Sequence, residues 1–228
     1  MKKVMIYDSA FSYTSRIKNN IVGSLTDKKR IVAVLVPPIL IASMYPVFYF
    51  LVEALAVERL AWYLGLATYW LIWGAVFPLV IIGKDNIKIL LRPQKLNKKV
   101  LLLVAIPLLG AVGARLVPGM AGYEKTSLWI LILIFSTTVG NGFFEEVLWR
   151  GVYVTLFPDN IFYRMIWPGI WFGLWHFVPV SLLGGNPLGM MIGSTAMGLY
   201  LSYLTKKTGT LQWAILTHFL GGIIMVSW

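Results

Sequence analysis

The 228-residue chain has no cysteine, which removes disulfide staples, thiolate metal sites and cysteine nucleophiles from consideration. Charge is scarce as well. Asp, Glu, Lys and Arg make up 13% of the residues and hydrophobic types 58%, against about 25% and about 45–50% in ordinary soluble domains. Acids are the rarest charged class, nine against twenty Lys and Arg, and there are only two histidines. The sequence has no His-Glu-x-x-His pair, no Gly-x-Ser-x-Gly elbow and no phosphate-binding glycine loop with its lysine. It also shows no internal repeat, no low-complexity tract and no second domain. A soluble enzyme, a zincin and a nucleotide-binding module are therefore poor readings.

What the chain has in abundance is apolar length, with a mean hydropathy of +0.76. Crossing a bilayer takes about 20 apolar residues, and seven windows meet that need: 31–52, 60–82, 100–118, 128–157, 162–180, 188–204 and 211–228. The expected fold is all-α, a polytopic membrane bundle of about seven helices, or eight if the long fourth window divides. Prolines inside the windows (Pro37, Pro38, Pro46, Pro78, Pro107, Pro168, Pro179) are expected to kink helices rather than end them. Gly110, Gly113, Gly189, Gly193 and Gly198 suit close helix packing.

The net charge of +11 is not a nucleic-acid footprint, because the cations lie between apolar runs rather than on one solvated face. They alternate instead. The first 30 residues hold seven Lys or Arg, the first connection only Arg59, the second six (Lys84, Lys88, Arg92, Lys95, Lys98, Lys99) and the third Lys125. By the positive-inside rule this puts the N-terminus in the cytoplasm and the C-terminus outside. The organisation expected is a basic cytoplasmic arm over 1–30, with a hint of an amphipathic helix, and one membrane-embedded domain over 31–228. No signal-peptide pattern opens the chain.

Against this background the stretch Asn141-Gly-Phe-Phe-Glu-Glu-Val-Leu-Trp-Arg150 stands out. Glu145 and Glu146 are the acids that fall well inside a window, and His176 and His218 fall inside two others. Charged groups at bilayer depth cost about 2.5–3.5 kcal/mol and mark functional interiors. At about 1.5 Å per residue, Glu145 sits roughly 18 Å, His176 roughly 20 Å and His218 roughly 10 Å from the basic ends of their spans, so the four could share one pocket. Glu146 and Arg150, four apart with the acid first, suit an ion pair, which leaves Glu145 as the freer carboxylate and a candidate general base beside an imidazole. Helical geometry separates adjacent side chains by about 100°, so the two glutamates should face different partners. Trp149, Trp171, Trp175 and Phe172 read as packing or lipid contacts. Glu145, His176 and His218 could alternatively hold a divalent metal such as zinc, and a buried Glu with a His could also serve a proton-linked transporter.

Glu145-Glu146-x-x-x-Arg150, then Phe172-x-x-x-His176 on the next span and His218 on the last, resembles the CAAX-processing and bacteriocin-processing (CPBP, or Abi) family of intramembrane proteases. The likeness covers about 127–228. It implies peptide-bond hydrolysis in a helical cavity open to the cytoplasm, on a membrane-associated or lipidated (CaaX-like) substrate or a processed peptide, with no required cofactor. By that resemblance Glu145 and His176 activate water, Glu146 and Arg150 support the site, Phe172 belongs to the second motif and His218 helps to hold the oxyanion. Small size and the lack of extra domains favour a prokaryotic plasma-membrane protein, and the alternative role within the same family is non-catalytic membrane interaction or bacteriocin immunity. The family places an Asn or similar residue four positions after the last histidine, where this chain has Gly222. Asn141, one helical turn from Glu145, is the candidate replacement, and Asn186 is a second.

Overall fold

The computed structural model describes residues 7–55, 57–116 and 128–225. Among these there are helices and no strands, as a chain solvated by lipid requires, because a helix satisfies its backbone donors and acceptors within itself. Eight helices follow in order: α1 (Tyr7–Ala54), α2 (Glu58–Ile81), α3 (Gly83–Leu90), α4 (Lys98–Arg115), α5 (128–156), α6 (Phe162–Leu183), α7 (Pro187–Thr208) and α8 (Gln212–Met225).

Each of the seven apolar windows coincides with one helix, and the long fourth window does not divide. Among the described residues, four helices are long and apolar enough to cross a bilayer by themselves: Thr26–Ala54 within α1, α2, Leu131–Leu156 within α5, and α6. The others depart for identifiable reasons. Lysines or arginine sit at both ends of α4, α7 carries Gly, Ser and Thr along its length, and α8 has 14 residues. The interior prolines bend without breaking, since α1 runs unbroken through Pro37, Pro38 and Pro46. The basic arm continues into the first span as part of the same helix. Lys125, Pro118 and the end of the last window lie outside the described residues.

Cross-links gather the basic connections on one face of the bundle. Arg30 Nε donates to Leu156 O at 2.8 Å, joining the start of the first span to the end of α5. On the same face Leu211 N and Thr210 Oγ1 each donate to Leu90 O at 2.8 Å, and Trp213 Nε1 donates to Gln94 Oε1 at 3.0 Å. The connection after α3 thus clasps the start of α8.

Two apolar cores form. The larger joins α1, α2, α5 and α6 through Leu40, Phe48, Leu66, Leu148, Val152 and Trp175. The smaller joins α4, α7 and α8 through Val104, Leu201, Leu204 and Trp213. Outward positions remain apolar too, with Leu71 64% and Leu102 62% exposed, the pattern of a bundle surrounded by hydrocarbon.

The α6–α7 crossing depends on glycine. A Cβ on Gly173 would lie 2.6 Å from Met191 O, and one on Gly198 would lie 3.1 Å from Gly169 O. The expectation for small residues is thereby corrected. Gly198 does sit at a crossing, but Gly110, Gly113 and Gly193 meet nothing within 4 Å, and Gly189 meets only the Asn186 side chain beside it. Other glycines at close approaches include Gly169 and Gly173, together with Gly74, where a Cβ would come 2.7 Å from Phe144 Cβ.

Candidate active site

The polar cluster lies at the seam between the two cores. Around it α5 leaves regular α-geometry, with π-helical turns at Asn141–Glu145 and Val147–Val152, and α2 does the same opposite at Trp70–Val76. Turns bonded from i to i+5 hold more residues than α-turns and recur at functional sites. They also reduce the angle between successive side chains. This is why Glu145 and Glu146, expected to face different partners, both reach His218. Glu146 Oε1 accepts from His218 Nδ1 at 2.8 Å, and Glu145 Oε2 lies 3.6 Å from His218 Nε2.

Glu146 and Arg150 form the expected pair at 2.9 Å, with both side chains essentially inaccessible. Arg150 makes two further contacts: Nη2 donates to Gly198 O at 3.1 Å, and the guanidinium lies 4.4 Å from the centre of the Phe172 ring. The close glycine crossing of α6 and α7 therefore has a consequence at the site, because it exposes the Gly198 carbonyl to the guanidinium. Phe172 packs edge-on to both imidazoles, with centroids 4.4 Å from His176 and 5.8 Å from His218. Glu146 serves two partners through one oxygen, bracing Arg150 and orienting His218.

Glu145 is 1% exposed. Its Oε1 accepts from Trp175 Nε1 at 3.1 Å, and behind that indole lies the buried Tyr69 of α2. Tyr69 OH in turn accepts from Trp149 Nε1 at 2.9 Å, and its ring stacks on Trp175 at 4.1 Å. Trp175 and Trp149 thus do more than pack. Nothing in the sequence signals Tyr69. Trp175 had one signal: it adjoins His176 and carries an indole donor that a buried carboxylate can use.

The second carboxylate oxygen, Glu145 Oε2, is buried without a hydrogen-bond partner. It faces His218 Nε2 at 3.6 Å and His176 Nε2 at 4.0 Å. Bond directions on the far side of each ring fix the tautomers. His176 Nδ1 sits 2.7 Å from Phe172 O, and His218 Nδ1 sits against a carboxylate. Both partners only accept, so each Nδ1 carries a proton, and in its neutral form each ring turns an Nε2 lone pair toward Glu145. Three acceptors converge with no donor among them. An arrangement of this kind needs a proton-bearing or cationic occupant, since buried polar groups left unsatisfied are costly. One water suffices geometrically. Two bonds of about 2.8 Å span the 4.0 Å between Glu145 Oε2 and His176 Nε2 at an angle of about 90°.

Two imidazole nitrogens and a carboxylate oxygen are also the donor chemistry of a zinc site. As they stand, no three His, Asp or Glu side chains among the described residues are grouped closely enough to hold a metal ion.

The remaining candidates fall outside this convergence. Asn141 Oδ1 accepts from Trp70 Nε1 at 2.9 Å, which ties it to α2. Asn186 caps α7, with its Oδ1 accepting from Gly189 N at 2.9 Å on the exposed surface. Gly222, one turn beyond His218, faces Thr138 of α5, whose Cγ2 would lie 3.0 Å from an added Cβ. The space that a longer side chain would take is thus filled from the neighbouring helix.

Residues 126–224 match the family model described as type II CAAX prenyl endopeptidase, Rce1-like. Over that segment, which is less than half of the chain, the protein is similar to the Rce1-like family. The match takes in Glu145, Glu146, Arg150, Phe172, His176 and His218, and leaves Tyr69 and the rest of α2 outside. No curated protein and no solved structure matches the chain. The Rce1-like family is one of intramembrane proteases of the CAAX type, acting on prenylated, membrane-associated proteins. An integral membrane protein with long apolar helices accords with that likeness.

Proposed function

We propose that this Rce1-like protein is an endopeptidase that hydrolyses a peptide bond in a lipidated or otherwise membrane-associated peptide, with Glu145 and His176 activating the attacking water. The observation that carries the reading is the convergence of Glu145 Oε2, His176 Nε2 and His218 Nε2 on one buried point with no donor between them. A water held there donates to Glu145 Oε2 and to an imidazole lone pair, leaving its own lone pair for a carbonyl carbon. Glu145 takes one proton as the C–O bond forms, and the departing amine receives a proton as the C–N bond breaks. His218, when it carries a proton on Nε2, donates to the oxyanion, and Glu146 behind its Nδ1 balances that charge. Arg150 holds Glu146 in place, and Phe172 separates Arg150 from the imidazoles.

Glu145, His176 and His218 have the donor chemistry of a zinc site but are not grouped closely enough to hold an ion, so activation of the water is assigned to Glu145 and His176. Substrate chemistry is argued from the membrane side. An apolar groove of about 540 Å³, lined by Leu131, Ile132, Ile134, Phe135 and Ile223, runs between α5 and α8, the helices bearing Glu145 and His218. A hydrocarbon chain attached to the peptide would fit there. We place the basic face in the cytoplasm of a prokaryotic plasma membrane, with the N-terminus inside.

Gly222 favours a second reading, a non-catalytic binding or immunity protein, because the position offers no side-chain donor to an oxyanion. The deciding experiment presents a farnesylated peptide in liposomes containing the purified protein, run in H₂¹⁸O, with products mapped by mass. Cleavage with one ¹⁸O in the new carboxylate supports hydrolysis. Intact peptide across a panel of lipidated substrates favours the binding reading.

A further inference from the structure

From Gly83 to Lys99 the chain carries six cations, Lys84, Lys88, Arg92, Lys95, Lys98 and Lys99, against one acid, Asp85. All six are exposed, and none forms an ion pair with a described residue. Gly83, at φ +79°, turns the chain from α2 into α3, whose Ile87 and Leu90 pack on the larger core while Lys84 and Lys88 face outward. Ile89 and Leu96 stand exposed among the cations. Exposed apolar side chains flanked by cations at the end of a membrane span suit a bed of anionic headgroups. The same stretch is fastened to the helix that carries His218. Leu90 O accepts from Leu211 N and from Thr210 Oγ1, both at 2.8 Å, and Arg92 O accepts from Thr210 Oγ1 at 3.1 Å. Gln94 N donates to Gln212 Oε1 at 2.7 Å, and Gln94 Oε1 accepts from Trp213 Nε1 at 3.0 Å. Helix α8 begins inside this clasp, and His218 follows about 9 Å along its axis. The Leu90 and Leu211 side chains also meet over Gly151 of α5, where a Cβ would lie 3.4 and 3.3 Å from them. Gly151 directly follows Arg150.

We propose that α3 and the connection after it are a docking surface for the anionic phospholipid headgroups of the adjoining leaflet, and that the clasp carries this docking to the site by fixing where α8 starts relative to α5. Charge names the occupant. Six exposed cations with one acid among them complement a negative leaflet, to which each contributes about fivefold in affinity, whereas zwitterionic headgroups offer no net charge. The consequence at the site follows from which helix supplies what. Glu145 and Glu146 come from α5 and His218 from α8, so the 2.8 Å bond from His218 Nδ1 to Glu146 Oε1 and the 3.6 Å approach of its Nε2 to Glu145 Oε2 both cross between the clasped helices. Sliding α8 by one residue's rise, about 1.5 Å, is enough to break such a hydrogen bond. The cations that orient the chain in the membrane thus gain a second effect, on the geometry of the histidine. Only the cleavage readout below rests on the proposed peptide hydrolysis.

Spin-labelled phosphatidylglycerol and phosphatidylcholine, introduced into phosphatidylcholine liposomes holding the full chain, report which lipid the protein retains. The expected preference for the anionic label is about 3- to 10-fold, falling toward unity in about 1 M salt, where the screening length is about 3 Å. Lys84→Gln, Lys88→Gln and Lys95→Gln together should remove most of that preference at an unchanged melting temperature, since all three side chains are exposed. The second measurement is amide hydrogen exchange over 211–218, which should slow by about tenfold when phosphatidylglycerol is mixed into the liposomes, with cleavage of an uncharged lipidated peptide rising in parallel. Gln94→Ala combined with Thr210→Val removes three of the five clasp bonds and should keep the lipid preference while abolishing the response of exchange and cleavage. Equal retention of the two labels, a preference indifferent to salt or kept by the triple variant, exchange over 211–218 that is the same in both liposomes, or a clasp variant that still responds would each overturn the proposal. If the triple variant does not fold, the salt series and the exchange comparison on the unmodified protein decide it. A protein that cleaves nothing would refute the peptidase reading alone, because lipid retention and exchange need no turnover.

Discussion

Neutralising Arg150 alone should be far more damaging than neutralising Arg150 and Glu146 together. Arg150 is 1% exposed and offers its guanidinium to Glu146 at 2.9 Å, to Gly198 O at 3.1 Å and to the Phe172 ring at 4.4 Å. In Arg150→Met the Glu146 carboxylate stays in the seam with only His218 Nδ1 to answer it. An uncompensated buried charge of that kind costs about 3–5 kcal/mol. Glu146→Gln has the mirror defect, a buried guanidinium facing an amide, and should cost a similar amount. The double variant leaves neither charge. The side-chain amide carbonyl that Glu146→Gln introduces can still accept from His218 Nδ1, so the double variant's loss should fall well below the sum of the two single losses, with a coupling of about 2–3 kcal/mol. Reversible unfolding of the purified protein in mixed detergent micelles, followed by tryptophan fluorescence, measures all four corners of the cycle. At about 1.4 kcal/mol per tenfold change in the unfolding constant, a coupling of this size is easily resolved. Additive losses, or an Arg150→Met protein as stable as the unmodified one, would refute the claim that the pair is a desolvated unit.

Other perturbations separate the roles within the site. Gly173→Ala should destabilise the bundle by about 1–3 kcal/mol and lower activity in parallel, because its Cβ would press on Met191 O at 2.6 Å and push α7, with the Gly198 carbonyl, away from Arg150; unchanged stability in the same unfolding assay would contradict the close crossing. Trp175→Phe should lower kcat about tenfold or more by removing a donor to Glu145 Oε1, with KM little changed; equal losses in stability and kcat would reduce Trp175 to packing. Gly222→Asn combined with Thr138→Ala, which clears the Cγ2 otherwise 3.0 Å from the new Cβ, should raise kcat by up to about 10²-fold if an oxyanion donor is what the site lacks. No gain in steady-state rates would mean that the oxyanion is already held. Exhaustive chelation should leave cleavage intact, and activity lost to chelator and restored by zinc would transfer the water's activation to a metal.

Much of the bundle could be read from the sequence because the bilayer imposes a length: each of the seven windows holds a helix, and four of these helices reach that length among the described residues. The i to i+4 spacing of Glu146 and Arg150 was enough to give their pair, and helical rise put Glu145 and His176 at similar depth while leaving His218 about 10 Å short of them, although its ring lies 3.6 Å from Glu145. What could not be read depends on departures from regular helix. No pattern in Asn141–Val152 announces π-helical turns, yet those turns let Glu145 and Glu146 reach one histidine. Tyr69 was hidden because it is one of eleven tyrosines and its place beside the site depends on contacts with Trp149 and Trp175, far away in the chain, for which a single sequence carries no periodic signal. Gly169 and Gly173, by contrast, stand four apart in the spacing that helix crossings favour, and the signal was present but unused. Asn141 was assigned by helical spacing alone, and Trp70 Nε1 takes its carbonyl oxygen.

The most direct test of the central claim is cleavage of a farnesylated peptide in proteoliposomes by the unmodified protein, Glu145→Gln and His176→Ala, each verified to be folded. The account predicts a single cleavage for the unmodified protein and rates at least about 10³-fold lower for both variants. Cleavage at the same bond that survives in both variants would contradict it.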